Sequence, residues 1–230
     1  FRPLVECSKA HGVKRFIYAS SSSVYGIKKE ENVNEDMSLE PLTDYSRFKA
    51  DCEKILDEYK SDSFTTVSIR PATVCGYSPR QRLDVVLNIF ANNAYHNREI
   101  SVFGGNQLRP NINIKDMVRA YLTLIYAEKD KINGEIFNAG DTNYSVLQLA
   151  EMTKGVMGSD IKLNVTESDD NRSYHISSEK ISKKLGFKPE NSLKSAVLDV
   201  KEAFEDKRLS DPLNNDNYYN IRIMQKIKLI

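Results

Sequence analysis

Cysteine and histidine are scarce in this sequence, and their scarcity excludes two kinds of site. There are three cysteines, Cys7, Cys52 and Cys75, and three histidines, all of them widely separated along the chain. An odd number of distant cysteines fits reduced thiols better than a disulfide framework. No Cys or His spacing matches a zinc motif. We therefore expect neither structural disulfides nor a metal centre.

Excess charge and long apolar runs are also lacking. Lys and Arg total 33 against 32 Asp and Glu, which leaves a formal net charge of +1. Such a balance gives no overall field for nucleic acid or for an anionic membrane. No apolar stretch reaches the ~18 residues that a membrane span requires. We expect a cytoplasmic protein without nucleic-acid or membrane partners, in which any anionic ligand is met by local charges.

What the sequence does contain is an alternation of helix and strand patterns. The run "VKRFIYA" (13–19) has the composition of a buried strand, "DYSRFKADCEKILDEYKS" (44–61) has helical periodicity, and "FTTVSIRP" (64–71) is a second strand pattern stopped by Pro71. Asp44 or Thr43 can cap the helix. This alternation predicts an α/β fold with a parallel sheet, whose ligands bind at the carboxyl ends of the strands.

Beyond Gly76 the pattern is mixed. Helices are expected near 82–97, 113–128, 145–157 and, as the last one, 193–204, with strands near 99–104, 134–140 and 161–165. The tail from 211 onward is expected to be a peripheral segment that packs its tyrosines.

Tyr45 and Lys49 are the first residues with a clear chemical possibility. Four positions apart on a predicted helix, they emerge from the same face and place an ammonium beside a phenol. The positive charge favours the phenolate, so the pair can act as a general base or acid near neutral pH. Such pairs also arise by chance on helix surfaces. The serines that follow the first strand, Ser20 to Ser23, add the hydroxyl donor needed to bind a carbinol or carbonyl oxygen.

Together these segments resemble a known family. The matching text is "VKRFIYASSSSVYG", "DYSRFKADCEKIL", "IRPATVCGYSPR", "VFGGNQLRPNINIKDMVRAY", "IFNAG" and "KISKKLGFKP", in family order as far as Pro189. The chain resembles the extended short-chain dehydrogenase/reductase superfamily, in particular the NAD-dependent nucleotide-sugar epimerases and dehydratases such as UDP-glucose 4-epimerase. The resemblance implies a Rossmann-type NAD domain, a doubly wound parallel sheet, and a smaller α/β lobe that binds a nucleotide sugar.

The resemblance also implies roles for individual residues. The catalytic group would be Ser21, Tyr45 and Lys49. The cofactor would contact Ala19, Ser20, Tyr45, Lys49, Pro71, Ala72 and Val74. The substrate would contact Ser21, Ser22, Thr73, Ser101, Phe103, Arg109 and Arg172. A guanidinium suits a diphosphate because its planar fork donates paired hydrogen bonds, which is the role implied for Arg109.

Two departures from the family pattern narrow the expected chemistry. Ser22 and Ser23 stand where sugar 4,6-dehydratases of the family carry an Asp-Glu pair, so we expect epimerisation with NAD in preference to dehydration. A keto-sugar reductase or a dehydratase of the same family is the alternative, and NADP stays open beside NAD. A relative without catalysis, acting as an NAD sensor or scaffold, is the alternative from a different class.

The second departure is that none of the ten glycines forms a glycine-rich turn after a strand, which dinucleotide binding in this fold requires. We therefore expect about the first hundred residues of such a Rossmann domain to be missing from this sequence, and weak binding of NAD by this chain alone. Residues 1–80 are expected to be the later part of the Rossmann domain, with returning segments near 110–140, and 81–230 mainly the sugar-binding lobe. Relatives often dimerise through long helices of the Rossmann domain, so a homodimer is expected.

Overall fold

A computed structural model describes residues 1–168 and 175–228 of the chain. Nine α-helices lie within these ranges: α1 (Arg2–Ala10), α2 (Asp44–Asp57), α3 (Val86–Asn97), α4 (Ile114–Tyr126), α5 (Lys129–Ile132), α6 (Val146–Met157), α7 (Glu179–Leu185), α8 (Leu193–Glu205) and α9 (Asn220–Lys226). The strands of the same ranges are β1 (Arg15–Ala19), β2 (Thr65–Pro71), β3 (Thr73–Cys75), β4 (Glu99–Phe103), β5 (Leu108–Asn113), β6 (Glu135–Ala139), β7 (Asn143–Ser145) and β8 (Lys162–Thr166).

The main sheet is parallel and has the strand order β1-β2-β6. Ala19 lies opposite Ile69 in the β1–β2 pair, and Arg70 lies opposite Asn138 in the β2–β6 pair. Helix α2 connects β1 to β2, as parallel neighbours require a crossover. The carboxyl ends of the three strands therefore meet at one edge of the sheet, which is the edge where the polar segments at 20–23 and 71–76 begin.

Two smaller sheets lie after the β2 strand. In the first, β5 pairs in parallel with β3 and antiparallel with β7. In the second, β4 and β8 pair in parallel. β3 follows β2 after one residue, so the chain leaves the main sheet at Ala72 and at once joins another. This change of sheet places residues 71–76 between the main sheet and the sheet of β3, β5 and β7.

Apolar side chains form two large clusters. One lies against the main sheet and includes Ile69 and Phe137 together with Ile181 and Phe187 from the region of α7. The other lies among α3, α6 and α8. Residues 176–187 therefore pack with the main sheet, although they belong to the part of the sequence assigned mainly to the second lobe. A third, small cluster joins α1 to α2 and β2 through Val5, Leu56 and Phe64.

Several element boundaries differ from those expected from the sequence. Strand β2 continues through Pro71, which is tolerated because the next N–H, that of Ala72, donates to the Ala139 carbonyl at 2.8 Å. Helix α3 begins at Val86 rather than near Arg82, so residues 77–85 form a loop. The helix expected to be the last, α8, is followed by α9.

Helix α2 shows which of its two candidate caps is used. The Thr43 side chain accepts a hydrogen bond from the Ser46 amide, and the Ser46 side chain accepts one from the Thr43 amide. This capping box fixes the first turn, which carries Tyr45. Phe48, an apolar residue in the helical pattern of 44–61, is 68% exposed.

None of the helices in residues 1–168 and 175–228 is long and apolar enough to cross a membrane. Over the same ranges, the structure brings together no group of three or more His, Cys, Asp or Glu side chains suited to hold a metal ion.

Candidate active site

A cavity of about 590 Å³ opens at the carboxyl edge of the main sheet. The serines 20–23 and Tyr45 form one part of its lining, which we call the serine wall, and residues 71–76 form the floor. The rest of the lining comes from the loop after Gly76 and from α3, β5 and α4, and consists of Ser78, Arg80, Arg82, Val85, Asn88, Arg109, Pro110, Ile114, Met117 and Tyr121. The position agrees with the general rule that open α/β sheets bind ligands at the carboxyl ends of their strands.

The serines after β1 do not continue the strand but turn into a short 3₁₀ helix, Ser22–Tyr25. Ser21 caps that helix: its Oγ accepts a hydrogen bond from the Ser23 amide at 3.2 Å and lies 2.9 Å from the Ser23 Oγ. Gly26 ends the turn with φ 68°, and a Cβ atom there would lie 2.0 Å from the Glu40 carbonyl oxygen. The turn therefore needs both a capping hydroxyl and a glycine.

Ser20 is buried at the end of β1. Its amide donates to the Ile69 carbonyl at 2.8 Å, which holds the end of β1 against β2. Its Oγ is buried and has no hydrogen-bond partner among the residues that the structure describes. A buried hydroxyl without a partner is energetically unfavourable, so a bound group that supplies one would stabilise it.

Lys49 connects α2 to the same strand end. Its Nζ donates to the Ala19 carbonyl at 2.6 Å and lies 5.6 Å from the centre of the Tyr45 ring. Burial lowers the pKa of Lys49. Tyr45 itself is 59% exposed and lines the cavity. The helix thus presents a phenol to the cavity with an ammonium close behind it, as the spacing of four residues predicts.

A buried cluster of polar side chains lies beneath this wall. The Arg70 guanidinium donates to both carboxylate oxygens of Glu53, at 3.0 and 2.7 Å, and to the Tyr25 hydroxyl at 2.7 Å. The Tyr25 hydroxyl in turn donates to Asn138 Oδ1 at 2.8 Å. Side-chain exposure is 3% for Arg70 and 4% for Glu53. We call these four residues, Tyr25, Glu53, Arg70 and Asn138, the arginine cluster.

The arginine cluster joins the elements that carry the cavity wall. Tyr25 is in the 3₁₀ helix that follows Ser21, Glu53 is one turn after Lys49 on α2, and Arg70 directly precedes the Pro71 floor residue. The position of each segment is therefore fixed relative to the others by hydrogen bonds to one guanidinium. Burial raises the pKa of Tyr25 to about 12 and outweighs the lowering effect of the charged Arg70, so the tyrosine keeps its proton and donates a hydrogen bond to Asn138.

The floor of the cavity is formed by residues 71–76. Pro71, Ala72, Thr73 and Val74 all line it, as expected for the strand end after Arg70. Cys75 also lies there but is 1% exposed, and burial raises the pKa of its thiol. A thiol in that state is a poor nucleophile, so the cysteine fills space in the floor.

A second part of the lining, which we call the basic wall, carries three arginines. Arg80, Arg82 and Arg109 line it, and none of the described lining residues is Asp or Glu. The sequence pointed to Arg109 but missed Arg80 and Arg82, although the text "YSPRQR" after a predicted strand end contains both. The lining of the cavity therefore contains both hydroxyl and guanidinium groups.

The structure does not bring every expected residue to this cavity. Ser101 and Phe103 are on β4 with exposed side chains, outside the lining; Phe103 is 63% exposed. Ala19 and Lys49 lie behind the serine wall and contact one another. Arg172 lies outside the described residues. The remaining expected residues are Ser20, Ser21, Ser22, Tyr45, Pro71, Ala72, Thr73, Val74 and Arg109, and all of them line the cavity.

These residues fit the nicotinamide cofactor that the family resemblance implies. The unpartnered Ser20 hydroxyl is a free hydrogen-bonding group at the strand end. Lys49 carries more N–H donors than the one bonded to Ala19. The exposed Ala19 and the Pro71–Val74 strand end provide small and apolar surface beside them.

Comparison with known proteins gives the family. A family model described as "NAD dependent epimerase/dehydratase family" matches residues 1–140. The uncharacterised UDP-glucose epimerase YtcB of Bacillus subtilis is 32% identical over 167 residues, which are 71% of this chain and 51% of that protein. The dTDP-D-glucose 4,6-dehydratase of Mus musculus is 32% identical over 199 residues, which are 81% of this chain and 54% of that protein. The chain thus spans about half the length of these curated relatives.

Solved structures show the same fold. The UDP-glucose 4-epimerase of Thermotoga maritima, solved with UDP-glucose, superposes with a TM-score of 0.79 at 27% identity, over 90% of this chain and 68% of that one. A UDP-glucuronic acid 4-epimerase of Bacillus cereus, solved with UDP-glucuronic acid and NAD, gives 0.78 at 27% identity, over 90% and 66%. The Rossmann-type α/β class expected from the sequence is confirmed. With the family model matching more than half of its residues, the chain belongs to the NAD dependent epimerase/dehydratase family.

Proposed function

We propose that the protein is an NAD-dependent nucleotide-sugar epimerase that works by transient oxidation of a sugar carbon. The observation that carries the proposal is the single cavity wall formed by Ser21 and Tyr45, with the Lys49 ammonium 5.6 Å from the tyrosine ring. A phenol, a hydroxyl and an ammonium at a strand end are the groups that oxidation of a carbinol requires. Relatives named UDP-glucose 4-epimerase support the same assignment.

Each of the three residues has a separate task in this proposal. Tyr45 accepts the proton of the sugar hydroxyl when the carbinol becomes a ketone, and returns it when the carbinol is restored. Lys49 places its positive charge 5.6 Å from the centre of the Tyr45 ring, on the element that carries the tyrosine. The Ser21 hydroxyl donates a hydrogen bond to the reacting oxygen and keeps it in place. NAD, when bound beside Ser20 and Lys49, would supply a reversible hydride acceptor for the sugar carbon.

The serine wall favours epimerisation over loss of water. Dehydration needs an acid and a base beside the sugar, and none of the described residues that line the cavity is a carboxylate. Ser22 is 7% exposed and Ser23 is hydrogen-bonded to Ser21, so both support the turn. The basic wall with Arg109 suits the diphosphate of a nucleotide sugar.

Replacement of Tyr45 by Phe tests the proposal in the full-length protein. The substrates are UDP-, dTDP-, GDP- and CDP-sugars with NAD, and the products are resolved by chromatography. We expect the variant to lose at least a hundred-fold in kcat, because the proton acceptor is gone, while NAD binding is retained. Tyr126→Phe, on the 82% exposed Tyr126, is the control and should keep the full rate.

Other outcomes identify the alternatives. An unchanged rate in Tyr45→Phe would overturn the proton-transfer role proposed for Tyr45. A parent protein that binds NAD but turns over none of these sugars would favour an NAD-sensing or scaffold protein. Net reduction of a keto sugar with NADH or NADPH would identify a reductase, and a 4-keto-6-deoxy product would identify a dehydratase.

We also propose a cytoplasmic homodimer that uses the outer face of α2. Phe48 on that helix is 68% exposed and lies outside the cavity lining, so this large apolar side chain is available to pack against a second copy of the chain. Light scattering of the full-length protein should give twice the protomer mass, and Phe48→Glu should shift it to the monomer. A monomeric parent protein would contradict this proposal.

A further inference from the structure

The loop 77–85 at the mouth of the cavity is held by the C-terminal part of the chain. The Leu83 amide donates to the Tyr218 carbonyl at 2.8 Å, and the Asn220 amide donates to the Asp84 carboxylate at 2.8 Å. This loop carries Arg80 and Arg82, both of which line the cavity. The C-terminal segment, residues 215–226, therefore contacts a part of the cavity wall that is more than 130 residues away in the sequence.

Arg80 is oriented by hydrogen bonds to neutral oxygens. Its Nη1 donates to the carbonyls of Gln81 and Asn217, at 3.1 and 3.3 Å, and its Nη2 donates to Asn220 Oδ1 at 2.9 Å. A guanidinium has five N–H donors, so two remain for a ligand. Since these partners carry no charge, they fix the direction of the guanidinium and leave its positive charge uncancelled.

Arg82, unlike Arg80, has its charge compensated by a carboxylate. Its Nε donates to Asp84 Oδ1 at 2.9 Å, so a carboxylate compensates its charge. The same Asp84 accepts the Asn220 amide through its other oxygen. Asn220 thus contacts the loop twice, once with its side chain at Arg80 and once with its backbone at Asp84.

The C-terminal segment is anchored to the rest of the protein by Tyr219. Tyr219, the residue before Asn220, is 7% exposed, and its hydroxyl donates to the Pro212 carbonyl at 2.7 Å. Asn92 of α3 donates to the same hydroxyl at 3.0 Å. The Arg222 guanidinium lies 3.8 Å from the centre of the Tyr219 ring. A support with these contacts on α3 can hold Arg80 in one orientation before any ligand arrives.

We propose that Arg80 is an anion-binding residue of the cavity and that Asn220 positions it from the C-terminal segment. The ligand group is the diphosphate of the nucleotide, which a guanidinium binds with two charge-assisted hydrogen bonds. Binding gains from this arrangement because the long side chain is ordered in advance and loses less conformational entropy. The identity of the ligand rests on the proposed function, whereas the support of Arg80 by Asn220 does not.

Calorimetric titration of UDP into the full-length protein tests the proposal. We expect Arg80→Ala to weaken UDP binding about ten-fold, the usual effect of losing hydrogen bonds to a charged group. Asn220→Ala should weaken it by a smaller factor, about three-fold, because the guanidinium is retained but less ordered. Ile221→Ala is the matched control, since Ile221 is the next residue and is 58% exposed. Its UDP affinity should equal that of the parent.

The double variant separates positioning from any other effect of the tail. If Asn220 acts through Arg80, then adding Asn220→Ala to Arg80→Ala should cause no further loss of UDP affinity. Hydrogen exchange at the Leu83 amide should be faster in Asn220→Ala than in Ile221→Ala. The proposal would be overturned if Asn220→Ala lowered UDP affinity by the same factor in the parent and in Arg80→Ala. An unchanged UDP affinity in Arg80→Ala would also overturn it.

The outcome also separates this proposal from the proposed function. UDP binding that depends on Arg80 in a protein without turnover would overturn only the enzymatic assignment. Failure of the parent to bind UDP and dTDP would overturn the diphosphate site and the nucleotide-sugar substrate together.

Discussion

Ser21 and Ser23 are hydrogen-bonded to each other, yet their positions in the turn differ. Ser21 caps the 3₁₀ helix from its start, and Ser23 supplies the amide that Ser21 accepts. Both line the cavity. The proposed mechanism needs the hydroxyl of Ser21 at the reacting oxygen, whereas the Ser23 hydroxyl contributes one hydrogen bond to the turn.

We therefore expect Ser21→Ala to lower kcat by about a hundred-fold, the range typical for loss of one hydrogen-bond donor at a reacting oxygen. Ser23→Ala should lower kcat less than about three-fold, because its amide is retained. Steady-state kinetics with the nucleotide sugar that the parent protein converts measures both. Equal losses in the two variants would show that the turn itself, and not one hydroxyl, is what matters.

Glu35 is a second residue whose surroundings lead to a testable prediction, because they shift its pKa. Its carboxylate accepts a hydrogen bond from the Asn138 amide at 2.6 Å, but burial raises the pKa of Glu35 above its ordinary value of 4.5. The folded protein therefore binds this proton more tightly than the unfolded chain does. The resulting stability is complete below pH 4.5 and is lost as pH rises through the folded pKa.

Glu35→Gln should remove the loss of stability that occurs as pH rises. Glutamine stays neutral at every pH and still offers an oxygen to the Asn138 amide. We expect the variant to melt at a higher temperature than the parent at pH 7, with the difference disappearing toward pH 4. Glu31→Gln, on an exposed side chain of the same segment, should leave the melting temperature unchanged. A variant that is less stable than the parent at pH 7 would contradict this account of burial.

At the scale of elements, the contact between α2 and β2 depends on one buried ion pair. Glu53 of α2 and Arg70 of β2 are almost fully buried and share two hydrogen bonds. Removal of one partner leaves the other as a buried, uncompensated charge, which typically costs about 3–5 kcal/mol.

Glu53→Ala should therefore lower the free energy of unfolding by about 3–5 kcal/mol in urea titrations. Asp51→Ala on the same helix is the control, because Asp51 and its partner Lys54 are 60% and 74% exposed. An exposed pair contributes about 0–1 kcal/mol. Leucine at both 53 and 70 should recover part of the loss, since no charge is then left unpaired. Similar costs for Glu53→Ala and Asp51→Ala would contradict the role given to the pair.

The elements themselves could largely be inferred from local patterns. The strand near 13–19, the helix from 44 and the strand near 64–71 have the right apolar spacing, and the structure contains β1, α2 and β2 there. The short α9 was not inferred, because its position depends on contacts with loop 77–85 and not on its own seven residues. Phe48 matches the apolar period of α2 but is exposed, since periodicity does not show whether a neighbouring element covers a face.

The site could also be inferred in part, because local spacing can be read from the sequence whereas long-range contacts cannot. Ser21 and Tyr45 line one cavity because a strand end and the first turn of the next helix are close in any parallel sheet. Arg80 was missed because its orientation comes from Asn220, 140 positions away. Ser101 was expected at the substrate; its side chain is exposed on β4, outside the lining of the cavity, while Ile100 and Val102 are buried, and its substrate role stays a prediction.

At the scale of the whole molecule, the two large apolar clusters are connected at the start of α4. Asp116 is fully buried and accepts hydrogen bonds from the amides of Glu190 and Asn191 and from the Asn191 side chain. Arg119 donates to it as well. Asn113 donates to Ser192 O and Ser195 Oγ, at 3.1 Å each. The turn before α8 is thereby fixed to the strand and helix that border the cavity.

Burial alone would raise the pKa of Asp116, but the hydrogen bonds from Asn191, Glu190 and Arg119 lower it below its ordinary value of 3.8. The folded carboxylate holds its proton more weakly than the unfolded one. Its contribution to stability is therefore complete above pH 3.8 and is lost as pH falls through the folded pKa.

Asp116→Asn should destabilise the protein by about 2–3 kcal/mol at pH 7, since a neutral amide cannot accept from all these donors. The difference in unfolding free energy between the variant and the parent should narrow below pH 3.8, because the Asp116 carboxylate of the parent becomes protonated there. Unfolding free energies at pH 7 and pH 3 give the measurement, with Asp62→Asn on a fully exposed side chain as the control. A difference that does not depend on pH would contradict the role of the charge.

The arginine cluster also limits how this protein can diverge in evolution. Tyr25, Glu53, Arg70 and Asn138 belong to four separate segments, yet each satisfies a buried group on another. A first substitution at any of them would leave a buried charge or hydrogen-bonding group unsatisfied, so a lineage that changes one must soon change its partner. Among homologues, positions 53 and 70 should accordingly be retained or replaced together, whereas Asp51 and Lys54 should vary independently.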